Sequence, residues 1–320
     1  MKQVEQISRE KAINLDISSK CTLSCSGCDR QWYVKHNQKI PKNDLSFEDF
    51  VKIADYFERI LFCGNISDPV FNPNFIRMLE LCDQRNIQVQ IHTSASHQPK
   101  EWYIKAFEAN KNAKWIFGLD GLPKDSHKYR VNQDGNKLYE MMKLGVSMGI
   151  FVSWQYIVFD YNEDDSFEAY GMAVDENMEF LLIESSRFDD ENPLKPETGF
   201  TLKQNLNTFD PACLKNKEYG WDFQGKLLPC CWYWQPGQQH LSFLPELTDD
   251  KFSIGNVKSV NDIINSKEWI DFHKMLKDNP ENAPEICKTY CGRRGGKTST
   301  RTFMKAGRTW KKMMIIFFML

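Results

Sequence analysis

The chain has 320 residues, of which 41% are hydrophobic and 13% aromatic, and its formal net charge is −2. This length and apolar content allow a sizeable core, as one large domain and a smaller one, which excludes disorder as the main state. The net charge conceals an asymmetry, because residues 293–320 contain eight Lys or Arg and no Asp or Glu.

The ten cysteines are expected to be reduced rather than paired in disulfides. The N-terminal residues carry charges throughout and lack the apolar core of a signal peptide, which favours a cytoplasmic protein. The apolar stretch 313–320 is only eight residues long. A membrane-spanning helix needs roughly 20 residues, so we expect no membrane span.

Six apolar runs alternate with helical patterns through the first 190 residues, which predicts repeated βα units and a parallel sheet. The predicted strands are 12–17, 59–63, 87–92, 113–119, 150–159 and 179–184. The segment LSFEDFVKIADYFERI predicts a helix in which Ser46 is the N-cap and Asp49 has the capping-box position.

The βα rhythm ends in a stretch rich in proline and charge, DDENPLKPETGFTLKQNLNTFDP, which is typical of a linker. Beyond it the chain is rich in Cys and Trp up to Cys291 and then becomes basic. We therefore predict four segments: a core, a linker, a small Cys-rich α+β domain and a basic tail, at 1–188, 189–208, 209–292 and 293–320.

The segment CTLSCSGC follows the first predicted strand and contains Cys21, Cys25 and Cys28. Active-site loops of parallel α/β proteins lie at this end of the strands. A structural zinc site is the alternative interpretation, but zinc normally takes four protein ligands, and only His36 stands nearby as a fourth. An iron-sulfur cubane held by three thiolates leaves one iron open to a ligand from outside the protein.

The spacing C-x3-C-x2-C after a first β-strand resembles the radical S-adenosylmethionine (SAM) superfamily. This resemblance implies a partial (βα)6 TIM-like barrel in which Cys21, Cys25 and Cys28 hold a 4Fe-4S cluster that binds SAM. The catalytic acid or base is not identified by any motif.

FCGNISDP, after the second predicted strand, is similar to the family's glycine-rich turn that meets the methionine end of SAM, and HTSAS resembles the segment after the third strand. The resemblance implies SAM-binding roles for Gly64, Asn65, Asp68 and Ser94. The alternative interpretations are a βα turn whose Asp68 starts the next helix, and turn hydroxyls that are satisfied locally.

FGLDGLPKDSHKYR resembles the strand-four segment of the branch of this superfamily that carries an auxiliary-cluster domain. It implies Asp120 and Arg130 as polar contacts of the cofactor, with Arg130 suited to a carboxylate. A structural ion pair is the equal alternative. His127 is expected to be a helix-cap or surface residue.

The Cys-rich segment resembles a SPASM or shortened twitch domain, with Cys213 followed by Gly225 and Cys230. We expect one auxiliary 4Fe-4S cluster, with Cys231 as neighbour or substitute. The expected ligands are Cys213, Cys230, Cys287 and Cys291. A closed zinc ribbon is the alternative, because four thiolates in two pairs also suit zinc.

Three further features of the sequence are expected to have no catalytic or cofactor-binding role. Cys63 and Cys82 lack partners at ligand spacing and are expected to be buried small hydrophobes. GRRGGKT at 292–298 misses the P-loop pattern by one residue. The basic tail is expected to be a flexible solvated arm, although nucleic-acid binding is possible for such a charge.

The resemblance implies reductive cleavage of SAM to a 5′-deoxyadenosyl radical that abstracts hydrogen from a substrate, most simply a peptide or protein. It also implies an external electron donor such as flavodoxin or ferredoxin. The alternatives are radical modification of a nucleotide or RNA, and a non-enzymatic iron-sulfur or zinc protein.

Overall fold

The computed structural model describes residues 11–185, 192–196, 209, 211–215, 217–222, 224–233, 244–291 and 300–304. In chain order, its strands are β1 (Ala12–Leu15), β2 (Arg59–Phe62), β3 (Gln88–Thr93), β4 (Lys114–Gly118), β5 (Phe151–Ile157), β6 (Glu179–Glu184), β7 (Glu218–Trp221), β8 (Leu227–Leu228) and β9 (Thr300–Met304). Its helices are α1 (Arg30–Lys35), α2 (Phe47–Ala54), α3 (Phe75–Gln84), α4 (Lys100–Ala109), α5 (Gly135–Ser147), α6 (Ser166–Asp175), α7 (Ala212–Lys215), α8 (Val260–Ile264), α9 (Lys267–Asp278) and α10 (Glu285–Tyr290).

Strands β1 to β6 lie side by side in chain order, and each pairs in parallel with the next. Parallel neighbours need crossover connections, and helices α2 to α6 supply one between each pair of strands. All six predicted strands are present within a few residues of their predicted bounds. The open six-stranded parallel sheet confirms the predicted partial (βα)6 fold with a small C-terminal region.

The sheet continues beyond these six strands at both edges. On one side β7 pairs in parallel with β1, and β8 pairs antiparallel with β7. On the other side β9 pairs antiparallel with β6. One sheet thus contains strands from both sides of the predicted linker, and the four predicted segment boundaries stay a prediction.

The expectation of a solvated arm after residue 292 is wrong for residues 300–304, which form β9. Without β9, strand β6 would expose unpaired N–H and C=O groups at the sheet edge, and pairing satisfies them. The rest of the tail, the linker residues 189–191 and 197–208, the near-P-loop segment 292–298 and the apolar stretch 313–320 lie outside the described residues.

An aromatic core packs between the sheet and the helices that cover β3 and β4. Phe75, Tyr103, Phe107, Trp115 and Phe117 are buried, and Trp115 contacts the rings of the other four. Each such side chain contributes about 1.5–3 kcal/mol through burial. The Tyr103 hydroxyl of this core donates to Ala95 O (2.8 Å) in the loop after β3 at the carboxyl edge of the sheet.

Helix α2 begins as predicted and ends early. Ser46 Oγ accepts a hydrogen bond from Asp49 N (3.1 Å), which confirms the N-cap. The predicted helix extends to residue 60, whereas α2 ends at Ala54 because residues 59–62 pair with β1 as strand β2. Across the described part of the chain, every helix is too short or too polar to span a bilayer.

Candidate functional site

The loop after β1 brings three cysteines to the carboxyl edge of the sheet, with Cys25 buried and Cys21 and Cys28 half-buried. The loop is bent, since Cys28 N–H donates to Cys25 O (3.1 Å). Burial raises the pKa of all three thiols, that of Cys21 to about 12, and neighbouring thiolates add to the rise at Cys21 and Cys28. Thiols in such surroundings ionise when a cationic metal centre binds them.

The glycine-rich turn after β2 lies against this loop. Asn65 O is 3.9 Å from Cys28 Sγ. A Cβ on Gly64 would lie 2.3 Å from Ser67 O, so only glycine permits this turn. The structure therefore places two of the predicted SAM-binding residues beside the first cysteine set.

A buried carboxylate that the sequence motifs did not identify holds the same turn. Asp16, just beyond β1, accepts hydrogen bonds from Asn65 N (3.0 Å) and Ser67 Oγ (2.5 Å). Its burial raises the pKa of Asp16 to about 7, against the effect of these hydrogen bonds. The available signal was an acidic residue within the predicted strand AINLDI, where Asn14 is the only other polar residue.

Asp68 joins the turn after β2 to the segment after β3. Its carboxylate accepts hydrogen bonds from Thr93 Oγ1 (2.9 Å), Ser94 N (2.8 Å) and Ala95 N (3.1 Å). It also accepts one from Val70 N (3.3 Å), as the cap of a short 3-10 turn. Burial raises the pKa of Asp68, and these hydrogen bonds oppose that rise. The contact with Val70 N agrees with the alternative that Asp68 starts the next helical turn. The contact with Thr93 Oγ1 agrees with the alternative that turn hydroxyls are satisfied locally.

Ser94 is held from both sides. Its backbone N–H binds Asp68, and its carbonyl oxygen accepts from Gln133 Nε2 (2.6 Å). The same Gln133 amide donates to Gly118 O (2.9 Å), the last residue of β4. Gln133, which no motif singled out, thus links the loops after β3 and β4.

Asp120 and Arg130 form a buried ion pair of 2.7 Å, with side chains 0% and 13% exposed. Asp120 also accepts from Ile157 N (2.8 Å). Burial raises the pKa of Asp120, and the Arg130 guanidinium opposes that rise. Arg130 also faces Cys25 and lowers the pKa of that thiol, against the larger effect of burial. The ion-pair interpretation of this segment is therefore realised, with the arginine next to the first cysteine set.

The second cysteine set lines one cavity of about 220 Å³. Its walls include all five cysteines of the C-terminal region, namely Cys213, Cys230, Cys231, Cys287 and Cys291. Burial raises the pKa of Cys213 and Cys287 to about 12 and that of Cys230 well above its ordinary value, and the charges of other thiolates of the set add to each rise. The thiols of this cavity are therefore close enough to interact electrostatically.

The two cysteine sets are neighbours in the fold. Asn65, whose carbonyl faces Cys28, donates from Nδ2 to Cys231 O (3.3 Å). The pairing of β7 with β1 brings the C-terminal region to this place, and a Cβ on Gly220 of β7 would lie 2.6 Å from the backbone of Cys230. The sequence motifs identified both sets and did not indicate that Asn65 contacts a residue of each.

The remaining candidates have structural surroundings. Cys82 is buried in the core, as expected, whereas Cys63 is only half-buried, so the expectation of a buried residue is wrong for Cys63. Cys63 follows directly after β2 and lies at the edge of the site rather than in the core. His127 is exposed on a short 3-10 turn, which confirms it as a surface residue.

Within the described residues, no group of three or more His, Cys, Asp or Glu side chains is placed to hold a single metal ion. A zinc site needs its ligands to converge on one ion. An iron-sulfur cluster binds each thiolate through a separate iron, so its ligands surround a larger volume. The donor chemistry of the two cysteine sets, three thiols at an open edge and five around a cavity, fits iron-sulfur clusters.

Residues 215–292 match the model of the SPASM family, described as an iron-sulfur cluster-binding domain. The match lies within the predicted Cys-rich segment. In sequence, the chain is 25% identical over 118 residues to the tungsten-containing aldehyde ferredoxin oxidoreductase cofactor-modifying protein of Pyrococcus furiosus. That similarity covers 35% of this chain and 32% of the relative, so it spans about a third of the length of that protein.

In structure, the chain is similar to Streptococcus suis SuiB bound to S-adenosylmethionine, with a TM-score of 0.55 and 11% identity over 88% of this chain and 78% of SuiB. SuiB bound to the precursor peptide SuiA gives a TM-score of 0.57 with 12% identity, over 88% and 76% of the two chains. Native anSMEcpe with bound AdoMet and the Cp18Cys peptide gives 0.52 with 14% identity, over 88% of each chain.

These likenesses show the fold, and the family model adds the nature of the C-terminal region. The chain shares its fold with SuiB and anSMEcpe, and its residues 215–292 match the SPASM iron-sulfur cluster-binding domain.

Proposed function

We propose that the protein is a radical SAM enzyme that cleaves S-adenosylmethionine reductively and abstracts hydrogen from a peptide or protein. The observation that carries this proposal is the position of Cys21, Cys25 and Cys28. They share the carboxyl edge of a radical SAM fold with the glycine-rich turn, whose Asn65 O lies 3.9 Å from Cys28 Sγ.

In this proposal Cys21, Cys25 and Cys28 hold a 4Fe-4S cluster with one iron open. When bound, that cluster supplies the electron that splits the sulfonium of SAM. The protein's own part is to exclude water from the thiols and to hold their loop. Arg30 supports the loop by donating from Nη1 to Ser19 O (2.8 Å) and Ile66 O (3.0 Å).

We assign the methionine end of SAM to Gly64 and Asn65, whose backbone lies next to the cysteine loop. Asp68 and Ser94 position this surface, because their hydrogen bonds tie the loops after β2 and β3 together. Asp120 orients Arg130 through the buried ion pair, and the guanidinium next to Cys25 is the cationic group available to a cofactor carboxylate.

We assign Cys213, Cys230, Cys287 and Cys291 to one auxiliary 4Fe-4S cluster. The charges of Cys213 and Cys291 each affect both Cys230 and Cys287, and the charge of Cys231 affects Cys230 more than either does, so the electrostatic effects are shared by all five thiols. The four are assigned by the resemblance of their spacing to a SPASM or twitch domain. Cys231 is the fifth thiol, and its backbone carbonyl is held by Asn65. We assign it as a neighbour of the cluster rather than a ligand.

A peptide substrate is supported by the two likenesses in which a peptide is bound, SuiB with SuiA and anSMEcpe with Cp18Cys. The alternative of a nucleotide or RNA substrate rests on the basic tail, of which only residues 300–304 are described, and those form an edge strand. No observation favours that alternative or a non-enzymatic role.

The test is anaerobic reconstitution of the full chain with iron and sulfide, followed by reduction with dithionite in the presence of SAM. We expect about eight irons per chain, as two four-iron clusters, and release of 5′-deoxyadenosine measured by chromatography. An iron content of about four per chain would contradict the presence of an auxiliary cluster. Two clusters without release of the nucleoside would contradict the proposed activity.

A further inference from the structure

An exposed basic surface borders the first cysteine set and has no role in the proposed chemistry. It consists of Lys35, Lys39 and Lys42, together with Val34 and His36, and is called here the α1 basic surface. These residues are exposed, and Val34 is 65% exposed. Over residues 30–43 the chain has four Lys or Arg and no Asp or Glu, although the whole chain has a net charge of −2.

This surface is attached to the cysteine loop at both ends. At its start, α1 continues directly from the loop, since Gln31 N–H donates to Cys28 O (2.8 Å). At its end, Asn43 N–H donates to Ser19 Oγ (3.0 Å), two residues before Cys21. Because a helix rises about 1.5 Å per residue, the surface begins within about 10 Å of the Cys28 backbone.

The lysines are available to a partner. Among the described residues, no acidic side chain forms an ion pair with Lys35, Lys39 or Lys42, whereas the adjacent Asp44 is already paired with Lys20 at 2.6 Å. His36 is fixed by its ring nitrogen Nδ1 at 2.8 Å from Trp32 O and by stacking on the Trp32 ring at 4.4 Å. The surface is therefore ordered and positively charged.

Tyr33 of α1 lies within electrostatic range of the auxiliary region. The Asp222 carboxylate, in the turn after β7, raises the pKa of Tyr33 in addition to the larger effect of burial. Of the three lysines, Lys35 is the last residue of α1, and Lys39 and Lys42 lie in the loop that follows it. An electron that enters here has both cysteine sets close by.

We propose that the α1 basic surface is the docking site of a small acidic electron-carrier protein that reduces the first cluster. The carrier loses one electron and the cluster gains it, and no bond is formed or broken. The proposal rests on the proposed function, which requires an external electron. A small, mostly polar and charged patch suits the weak, short-lived encounters of electron-transfer partners, and its charge steers an acidic partner to this place.

The test compares two triple variants of the reconstituted full chain. In K35E/K39E/K42E the charge of the surface is reversed. In K100E/K105E/K111E the same change is made at three exposed lysines on and just beyond α4, which packs between α3 and α5. The rate of cluster reduction is measured by anaerobic stopped-flow absorbance with a reduced acidic ferredoxin and, separately, with dithionite.

With ferredoxin at low salt, we expect the second-order rate of K35E/K39E/K42E to fall at least about 10-fold, while the α4 control stays within about twofold of the parent chain. Added salt should slow the parent chain and have little effect on the α1 variant. Dithionite should reduce all three equally. Equal ferredoxin rates in all three, or an equal loss with dithionite, would overturn the docking proposal.

The same variants test whether an acidic peptide, rather than an electron-carrier protein, binds the α1 basic surface. With dithionite as reductant, turnover of a peptide substrate should be unchanged in K35E/K39E/K42E, and a selective loss would show that the surface binds substrate instead. Failure of the proposed function is distinguishable, because the parent chain would then release no 5′-deoxyadenosine with dithionite.

Discussion

The two cysteine sets, which we propose to hold iron-sulfur clusters, lie in different surroundings. The first lies in loops after parallel strands and is surrounded by a polar network, in which Asp16 and Asp68 bind backbone N–H groups and Arg130 pairs with Asp120. The second lines a cavity whose walls include aromatic side chains such as Trp232 and Tyr233. At a site with one open metal position, the surrounding residues orient the ligand that comes from outside the protein. A closed site is completed by its own protein ligands.

The charges around Cys25 and around the second cysteine set also differ. At Cys25 the guanidinium of Arg130 opposes the effect of burial on the thiol pKa. At Cys213, Cys230 and Cys287 the interacting charges are those of other thiols, and they raise the pKa further. Neighbouring thiolates also raise the pKa of Cys21 and Cys28, so the contrast is confined to Cys25, and we expect both sets to need a metal centre to ionise their thiols.

The largest effect that this comparison predicts is in Cys25→Ala. Removal of one of three thiolates should abolish the first cluster and reduce release of 5′-deoxyadenosine to background, while about four irons per chain remain in the auxiliary site. Iron analysis and chromatography of the nucleoside measure both. Cys63→Ala, at the half-buried cysteine after β2, is the control and should keep both clusters.

Next is Cys287→Ala, which should lose about four irons per chain and lower the melting temperature of the reconstituted protein, because metal binding contributes to folding. The first cluster should remain visible by electron paramagnetic resonance after reduction. Cys231→Ala is the matched control in the same cavity. A loss of the auxiliary cluster in Cys231→Ala would mean that the ligand assignment is wrong.

Arg130→Ala tests the polar network of the first set. It leaves the Asp120 carboxylate, 0% exposed, without its ion-pair partner. Removal of one partner from a buried pair costs about 3–5 kcal/mol, to be measured as the free energy of urea unfolding without metal. The double variant D120N/R130Q should recover part of the loss. A cost of about 1 kcal/mol or less, as for a surface pair, would contradict the structural role.

The last effect is a pH dependence at Asp16, which is the smallest per pH unit. Its pKa is raised to about 7 by burial, so the stability that depends on its proton is complete below about pH 4 and is lost as the pH rises towards 7. In Asp16→Asn, the fall in the free energy of unfolding over this range should flatten by at most about 1.4 kcal/mol per pH unit. Urea unfolding at several pH values measures it.

Asp222→Asn sharpens that measurement, because the pKa of Asp222 is raised to about 6 by burial. In Asp222→Asn, the slope of the free energy of unfolding against pH should be flattened only up to about pH 6, one unit below the limit for Asp16→Asn. If both variants keep the slope of the parent chain, the two carboxylates do not titrate during unfolding in this range.

Local patterns were sufficient for much of the fold. All six core strands follow from apolar runs, and Ser46 follows from cap chemistry, because both depend on neighbours in sequence. The extent of α2 was not predictable in this way, since residues 59–62 pair with β1, a strand more than 40 residues earlier in the chain. The half-buried state of Cys63 likewise depends on what packs over the end of β2.

The candidate site shows the same division. The spacing of Cys21, Cys25 and Cys28 is a local property and sufficed to indicate an open cluster, and the five later cysteines indicated an auxiliary one. The buried carboxylate of Asp16 and the amide of Gln133 escaped notice because their partners come from other loops. Single polar residues carry little sequence signal when their hydrogen bonds are non-local.

By itself, the amino-acid sequence determined the βα order, the two sets of thiols and the type of chemistry they imply, since each depends on residue type and spacing. Only the tertiary structure decided that β7 pairs with β1, that β9 covers β6, and that Asn65 contacts both cysteine sets. Strand pairing joins residues that are distant in sequence, and its register is set by the packing of the whole core.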